Sequence, residues 1–216
     1  AGAEGVRLGG VRLGGGGIGL IALDSELVID GVHVHQATIA GILAMRTSLA
    51  IEHTLVARTL GDPSNDRYGR GIELQRGSAL TLRSSALHRN RDLALMAIDA
   101  GTGAQLTDVL IADTMSDQSN LNYGHGIEVQ ARASLTLGSS ALVENREVGL
   151  LATGAGTAVH VDGSIVAGTL PRDSDSLSGL GIEARDGAEV ELTASALVGN
   201  RATGLAARQE GTHVAA

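Results

Sequence analysis

The sequence predicts an all-β fold: a right-handed single-stranded parallel β-helix, a solenoid of about eight coils grouped as four tandem double-coil repeats of about 55 residues. Three observations predict it. The chain repeats itself, because Gly17-Ile18-Gly19-Leu20, Gly71-Ile72-Glu73-Leu74, Gly126-Ile127-Glu128-Val129 and Gly181-Ile182-Glu183-Ala184 start 54, 55 and 55 residues apart. Inside a repeat, apolar and polar residues alternate, as in Ser134-Leu135-Thr136-Leu137 and Val190-Glu191-Leu192, which is the period of a half-buried strand and not of a helix. Finally, the 216 residues include 31 glycines, two tyrosines and no Phe, Trp or Cys, so a core must come from stacked Ala, Leu, Val and Ile.

The repeat divides again. A second apolar tetrad recurs as Gly41-Ile42-Leu43-Ala44, Leu93-Ala94-Leu95-Met96, Gly149-Leu150-Leu151-Ala152 and Gly204-Leu205-Ala206-Ala207, placing coil starts at 17, 41, 71, 93, 126, 149, 181 and 204. At a strand spacing of roughly 4.8 Å, such a stack makes a rod of roughly 35 Å. The solenoid domain therefore occupies 17–216, after a glycine-rich opening segment, 1–16, that is expected to be flexible. On the first strand, Ile18, Ile42, Ile72, Ala94, Ile127, Leu150, Ile182 and Leu205 are expected to stack inward. Leu27, Leu80, Leu135 and Val190, with Ile29, Leu82, Leu137 and Leu192, do the same on the second strand, and Leu87, Leu142 and Leu197 on the third. Asn90, Asn145 and Asn200 each fall 19 residues after a coil start, at a turn expected to need positive φ, while Arg58, Asp113 and Gly168 stand there in the intervening coils.

The pattern Gly-Ile-x-x, x-Leu-x-Leu, Ser-Ala-Leu-x-x-Asn over 17–216 resembles the right-handed β-helix repeat of pectin-lyase-like proteins, in its uncharacterised bacterial surface type. The resemblance implies a secreted or cell-surface location, and a repeat shared by lyases, hydrolases and adhesins. It also draws attention to the outward column of the first strand, read as Gly19, Leu43, Glu73, Leu95, Glu128, Leu151, Glu183 and Ala206. Glu73, Glu128 and Glu183 lie two coils apart, about 10 Å at strand spacing, and inverting glycosidases hold carboxylates about 6.5–9.5 Å apart. They are the catalytic candidates of a carbohydrate-active enzyme, a polysaccharide lyase or glycoside hydrolase. Against this, lysine is absent and the flanking residues are leucines, so the alternative is a row of solvated carboxylates produced by duplication.

The long coils carry polar excursions at 59–70, 114–125 and 169–180, expected to stack on one side and to form the binding surface. Their candidate binding residues are Asp62, Asp66, Tyr68 and Arg70, then Asp117, Tyr123 and His125, then Asp173 and Asp175. The aspartates allow weak Ca²⁺ binding, but no loop has the spacing of an EF-hand or nonapeptide calcium repeat, so no metal is assigned. His33-Val34-His35 places two imidazoles on one strand face without a third ligand.

With 16 arginines against 24 acids, the formal charge of −8 argues against nucleic acid and anionic membranes as partners. No apolar run is long enough to cross a membrane as a helix. Ala1 in place of Met reads as a processed chain or a fragment, with further sequence or a cap expected at the C-terminal end. The functional expectation is a non-catalytic scaffold or binding module, with polysaccharide or protein at the cell surface as its partner.

Overall fold

The computed structural model describes residues 5–216, and among these every regular element is a strand. Two sheets form, of eight and fifteen strands, and every pairing is parallel. In the eight-stranded sheet Leu20 stands beside Ile42, Ile42 beside Ile72, Ile72 beside Leu95, Leu95 beside Ile127, Ile127 beside Leu150, Leu150 beside Ile182, and Ile182 beside Leu205. Neighbouring strands thus come from segments alternately 22–23 and 30–32 residues apart, the pairing that a parallel β-solenoid requires.

Like side chains lie on like side chains along the stack. Leu27, Leu49, Leu80, Ala104, Leu135, Val159 and Val190 form one buried column, and Ile29, Ile51, Leu82, Leu106, Leu137, Val161 and Leu192 a second. Val34, Val56, Leu87, Ile111, Leu142 and Val166 form the third. Each buried aliphatic contributes roughly 1.5–3 kcal/mol, and a narrow interior filled by such columns leaves no space that an aromatic is needed to fill.

The first-strand column differs from the sequence expectation at two places. Leu20 replaces Ile18, and Leu95 replaces Ala94, so the outward neighbours are Ile21 and Met96 and not Gly19 and Leu95. The cause is local. In Leu93–Ile98 every residue is apolar because both faces are covered, so a shift by one position leaves the pattern unchanged.

The segment 1–16 contains two strands within its described part. Val6–Gly9 pairs with the segment at Leu27, and Arg12–Gly14 with His33–His35. The glycines expected to make this segment flexible instead form its bends, since Gly10, Gly15 and Gly16 have φ of 61°, 75° and 77°.

The asparagines hold the corner that leads into each long loop, by hydrogen bonds and not by their own backbone angle. Positive φ belongs to the preceding residue: Arg89, Glu144 and Gly199 have φ of 55°, 54° and 64°. Arg58, Asp113 and Gly168 are their counterparts, at 56°, 57° and 63°, so the residues level with the asparagines are Thr59, Thr114 and Thr169. Asn145 donates to the Ile111 carbonyl at 3.0 Å and accepts from the Thr114 amide at 3.2 Å and hydroxyl at 2.7 Å. Asn90 does the same with Val56 and Thr59, and Asn200 donates to the Val166 carbonyl and accepts from the Thr169 amide. Gly71, Gly126 and Gly181 complete the corner. A Cβ there would lie 2.8, 3.0 and 2.7 Å from the asparagine Nδ2, and 2.3–2.5 Å from a carbonyl oxygen of the next layer.

Candidate binding site between the stacked loops

The three long loops lie on one side and bond to one another. Gln118 accepts from the Gly61 amide and Asp117 from the Tyr68 amide, which joins the first loop to the second. Ser174 donates from its amide to Leu121 and from its hydroxyl to Asn122, and Asp173 accepts from Ser116, which joins the second to the third. Inside each loop the chain reverses through the same backbone bond, from Asp62 to Arg67, Asp117 to Asn122 and Arg172 to Leu177. Glycines 69, 124 and 179 let it return to the sheet beneath an arginine, Arg91, Arg146 or Arg201, whose Cβ would lie 2.6–2.8 Å from a Cβ on the glycine.

The returning residue then covers the outward face of the eight-stranded sheet. The glutamate row is accordingly not a solvated strip: Glu73 and Glu183 are 8% and 5% exposed, and Met96 and Leu151 between them are 6% and 2% exposed. Each glutamate has its own cation. Arg70 meets Glu73 at 3.0 Å, His125 meets Glu128 at 3.1 Å, and Arg208 meets Glu183 at 3.2 Å. In the third unit the returning residue is Leu180, which packs on Val148 and Leu151 as a small apolar cluster.

A second acid, two residues after each of the first two asparagines, completes the pattern. Asp92 accepts from Arg70 Nε at 2.9 Å, and Glu147 lies 3.7 Å from His125 Nε2. Burial alone would discharge His125, but Glu128 and Glu147 on either side outweigh it and raise its pKa to about 9. Burial likewise tends to raise the Glu147 carboxyl, yet His125, the Tyr123 amide at 2.7 Å and Arg172 at 3.3 Å hold it below the usual carboxylate range. For Asp92, burial wins over Arg70 and the weaker pull of His125, and Asp117 nearby adds to it, so this carboxyl is raised. Neither Asp92, Glu147 nor Arg172 was singled out by sequence reasoning. The signal was present, as an acid at the same offset from Asn90 and Asn145 with Ala202 in the third unit.

The nine loop candidates separate into two groups. Tyr68, Arg70, Asp117 and Tyr123 line one cleft of about 410 Å³ between the first and second loops, with Asp92, Leu93 and Met96 as its floor and Glu128, Gln130, Asn120 and Arg67 around it. Arg70 lies 5.3 Å from the Tyr68 ring centre, and His125, behind the cleft, meets Tyr123 edge-on at 5.6 Å. The other aspartates lie outside the cleft. Asp62 accepts from the Ser64 amide and hydroxyl, Asp175 from the Leu177 amide and Arg172, and Asp173 pairs with Arg146, while Asp66 lies exposed at a loop tip. Among the described residues no three acids and histidines gather as a metal site.

A cleft with half-exposed tyrosines above, an apolar floor and carboxylates at the base can hold a small polar group by hydrogen bonds and by ring stacking. Compared with protein-family models and with curated proteins, the chain matches none.

Proposed function

We propose that this chain is a right-handed parallel β-helix of the pectin-lyase-like type, about eight coils in four tandem double-coil repeats, serving as a non-catalytic binding module of a secreted or cell-surface bacterial protein. It binds through the stacked long loops. The observation that carries this reading is the cleft between the first two loops, where Tyr68 and Tyr123 stand 39% and 43% exposed over a floor of buried polar and apolar groups. Most outward carboxylates are tied into ion pairs, which suits recognition better than proton transfer.

Thermal shift of the purified chain against acidic and neutral polysaccharides and against peptides, with and without Ca²⁺, tests the reading. The same wells are assayed for new reducing ends and unsaturated products. Stabilisation without product is the expected result, and silence in every well refutes binding by the loops.

One observation favours a second reading, a carbohydrate-active enzyme. Asp92, raised by burial, and Glu128 line the same cleft, as a general acid and its partner carboxylate would. Product formation that disappears in Asp92→Asn or Glu128→Gln establishes that reading in place of the first.

A further inference from the structure

The two spaces between the three long loops are built on one plan, and the second contains its own occupant. There Glu147 takes His125 on one side and the Arg172 guanidinium on the other, with the Tyr123 amide as a further donor. Arg172 occupies the fourth position of its loop, the residue that opens the chain reversal. Its counterpart one unit earlier is Asp117, the opposite charge.

The first space therefore holds the acid without the second cation. Asp92, in the place of Glu147, is 6% exposed and takes only Arg70, through Oδ2. No donor among the described residues reaches its Oδ1. Asp117 offers only acceptors and no donor to Asp92, and its two oxygens accept from the Ser119 amide and hydroxyl and from the Tyr68 amide. The cleft is lined by Asp92, Asp117 and Glu128 against Arg67 and Arg70, three carboxylates to two cations. Arg67 is exposed at the rim, and Arg70 and His125 are already engaged with acids.

Resting on the reading of the loops as a binding surface, we infer that the cleft between the first and second loops receives the guanidinium of an arginine side chain from a partner protein. This group takes the place that Arg172 fills in the next space. It pairs with Asp92 and Glu128 beneath the two tyrosine rings, and its methylenes pack on Leu93 and Met96. An acidic chain without lysine complements an arginine-bearing segment in overall charge as well.

The probe is a blocked Gly-Arg-Gly tripeptide, compared with the same tripeptide carrying citrulline, which has the arginine shape without its charge. Calorimetry on the unmodified chain at low salt is expected to give at least tenfold tighter binding of the arginine peptide, weakening as salt rises, with amide shifts at Tyr68 and Tyr123. Asp92→Asn is expected to lose at least tenfold in affinity. Asp117→Arg, which supplies the cation from within, is expected to abolish binding; the melting temperature of each variant identifies any that fails to fold, and the peptide pair on the unmodified chain decides the matter without them. Equal binding of the two peptides, or none, overturns the inference, as does displacement of the arginine peptide by Ca²⁺ alone at equal concentration. A polysaccharide that binds the loops while both peptides fail also overturns it, and leaves the loop-binding reading standing.

Discussion

The first and second units share a backbone and differ in how their buried charges are closed. In the first, Arg70 alone serves both Glu73 and Asp92. In the second, His125 lies between Glu128 and Glu147, and Glu147 has two further donors from outside that pair. The difference teaches that the two units agree in the position of an acid more strictly than in the nature of its counterion. One loop residue, Asp117 or Arg172, decides whether the space above that acid stays open.

The comparison breaks most visibly when the cation is removed. Arg70→Met is expected to cost about 4 kcal/mol near neutral pH, because it leaves Asp92 buried with no cation. Denaturant melts should recover part of this loss as the pH falls toward 4, since a protonated Asp92 needs no counterion. His125→Met is expected to cost less, because Glu147 keeps Arg172 and the Tyr123 amide.

The corners test what the units share. Asn90→Ala and Asn145→Ala each strand a buried carbonyl and a buried threonine amide, and each is expected to cost about 3 kcal/mol. Equal losses by chemical denaturation confirm that the corners are alike although the charge clusters above them are not.

The pH dependence then separates the units. His125 has a folded pKa of about 9 against 6.5 unfolded, so its contribution is fully present below pH 6.5 and is lost as the pH rises through 9. Stability is expected to fall by about 2 kcal/mol between pH 7 and pH 9 on this account. The slope disappears in His125→Leu, the residue type that the third unit already carries as Leu180. Arg70 does not titrate in this range, so the first unit contributes nothing comparable.

The tyrosines give the smallest effect. Tyr68→Ser removes a ring over Arg70, and Tyr123→Ser removes an edge contact to His125; each is expected to shift stability by at most about 1 kcal/mol. Ser178 holds the equivalent place in the third unit, so serine is compatible with that loop. A thermal melt of both variants orders the two contacts.

Most of the parallel strand architecture was legible because burial on one face leaves a period-two trace. Leu80 and Leu82, or Leu135 and Leu137, point inward beside polar neighbours, and the alternation sets their register. That trace vanishes where both faces are covered, and the misplacement of Ala94 and Leu95 followed from it. The loop side was legible as a location, since three insertions recur at one offset. Its charge pairing was not. Arg70 meets Asp92 across 22 residues and Glu147 meets Arg172 across 25, close to one layer, but the partners differ in type from unit to unit, so the recurring position of the acid does not name its cation. Positive φ at Arg89 and Glu144 was likewise hidden, because the asparagine beside them looked like the better candidate.

The asparagine corner sets the grain of this architecture. Each asparagine reaches into the layer before its own, to the threonine that opens a long loop, and each threonine amide finds its acceptor only in the layer after. Neither layer satisfies its corner alone, so the smallest segment that can be copied or removed without stranding a polar group is a pair. A stack built this way changes length in steps of two layers, and each step brings one long loop with it.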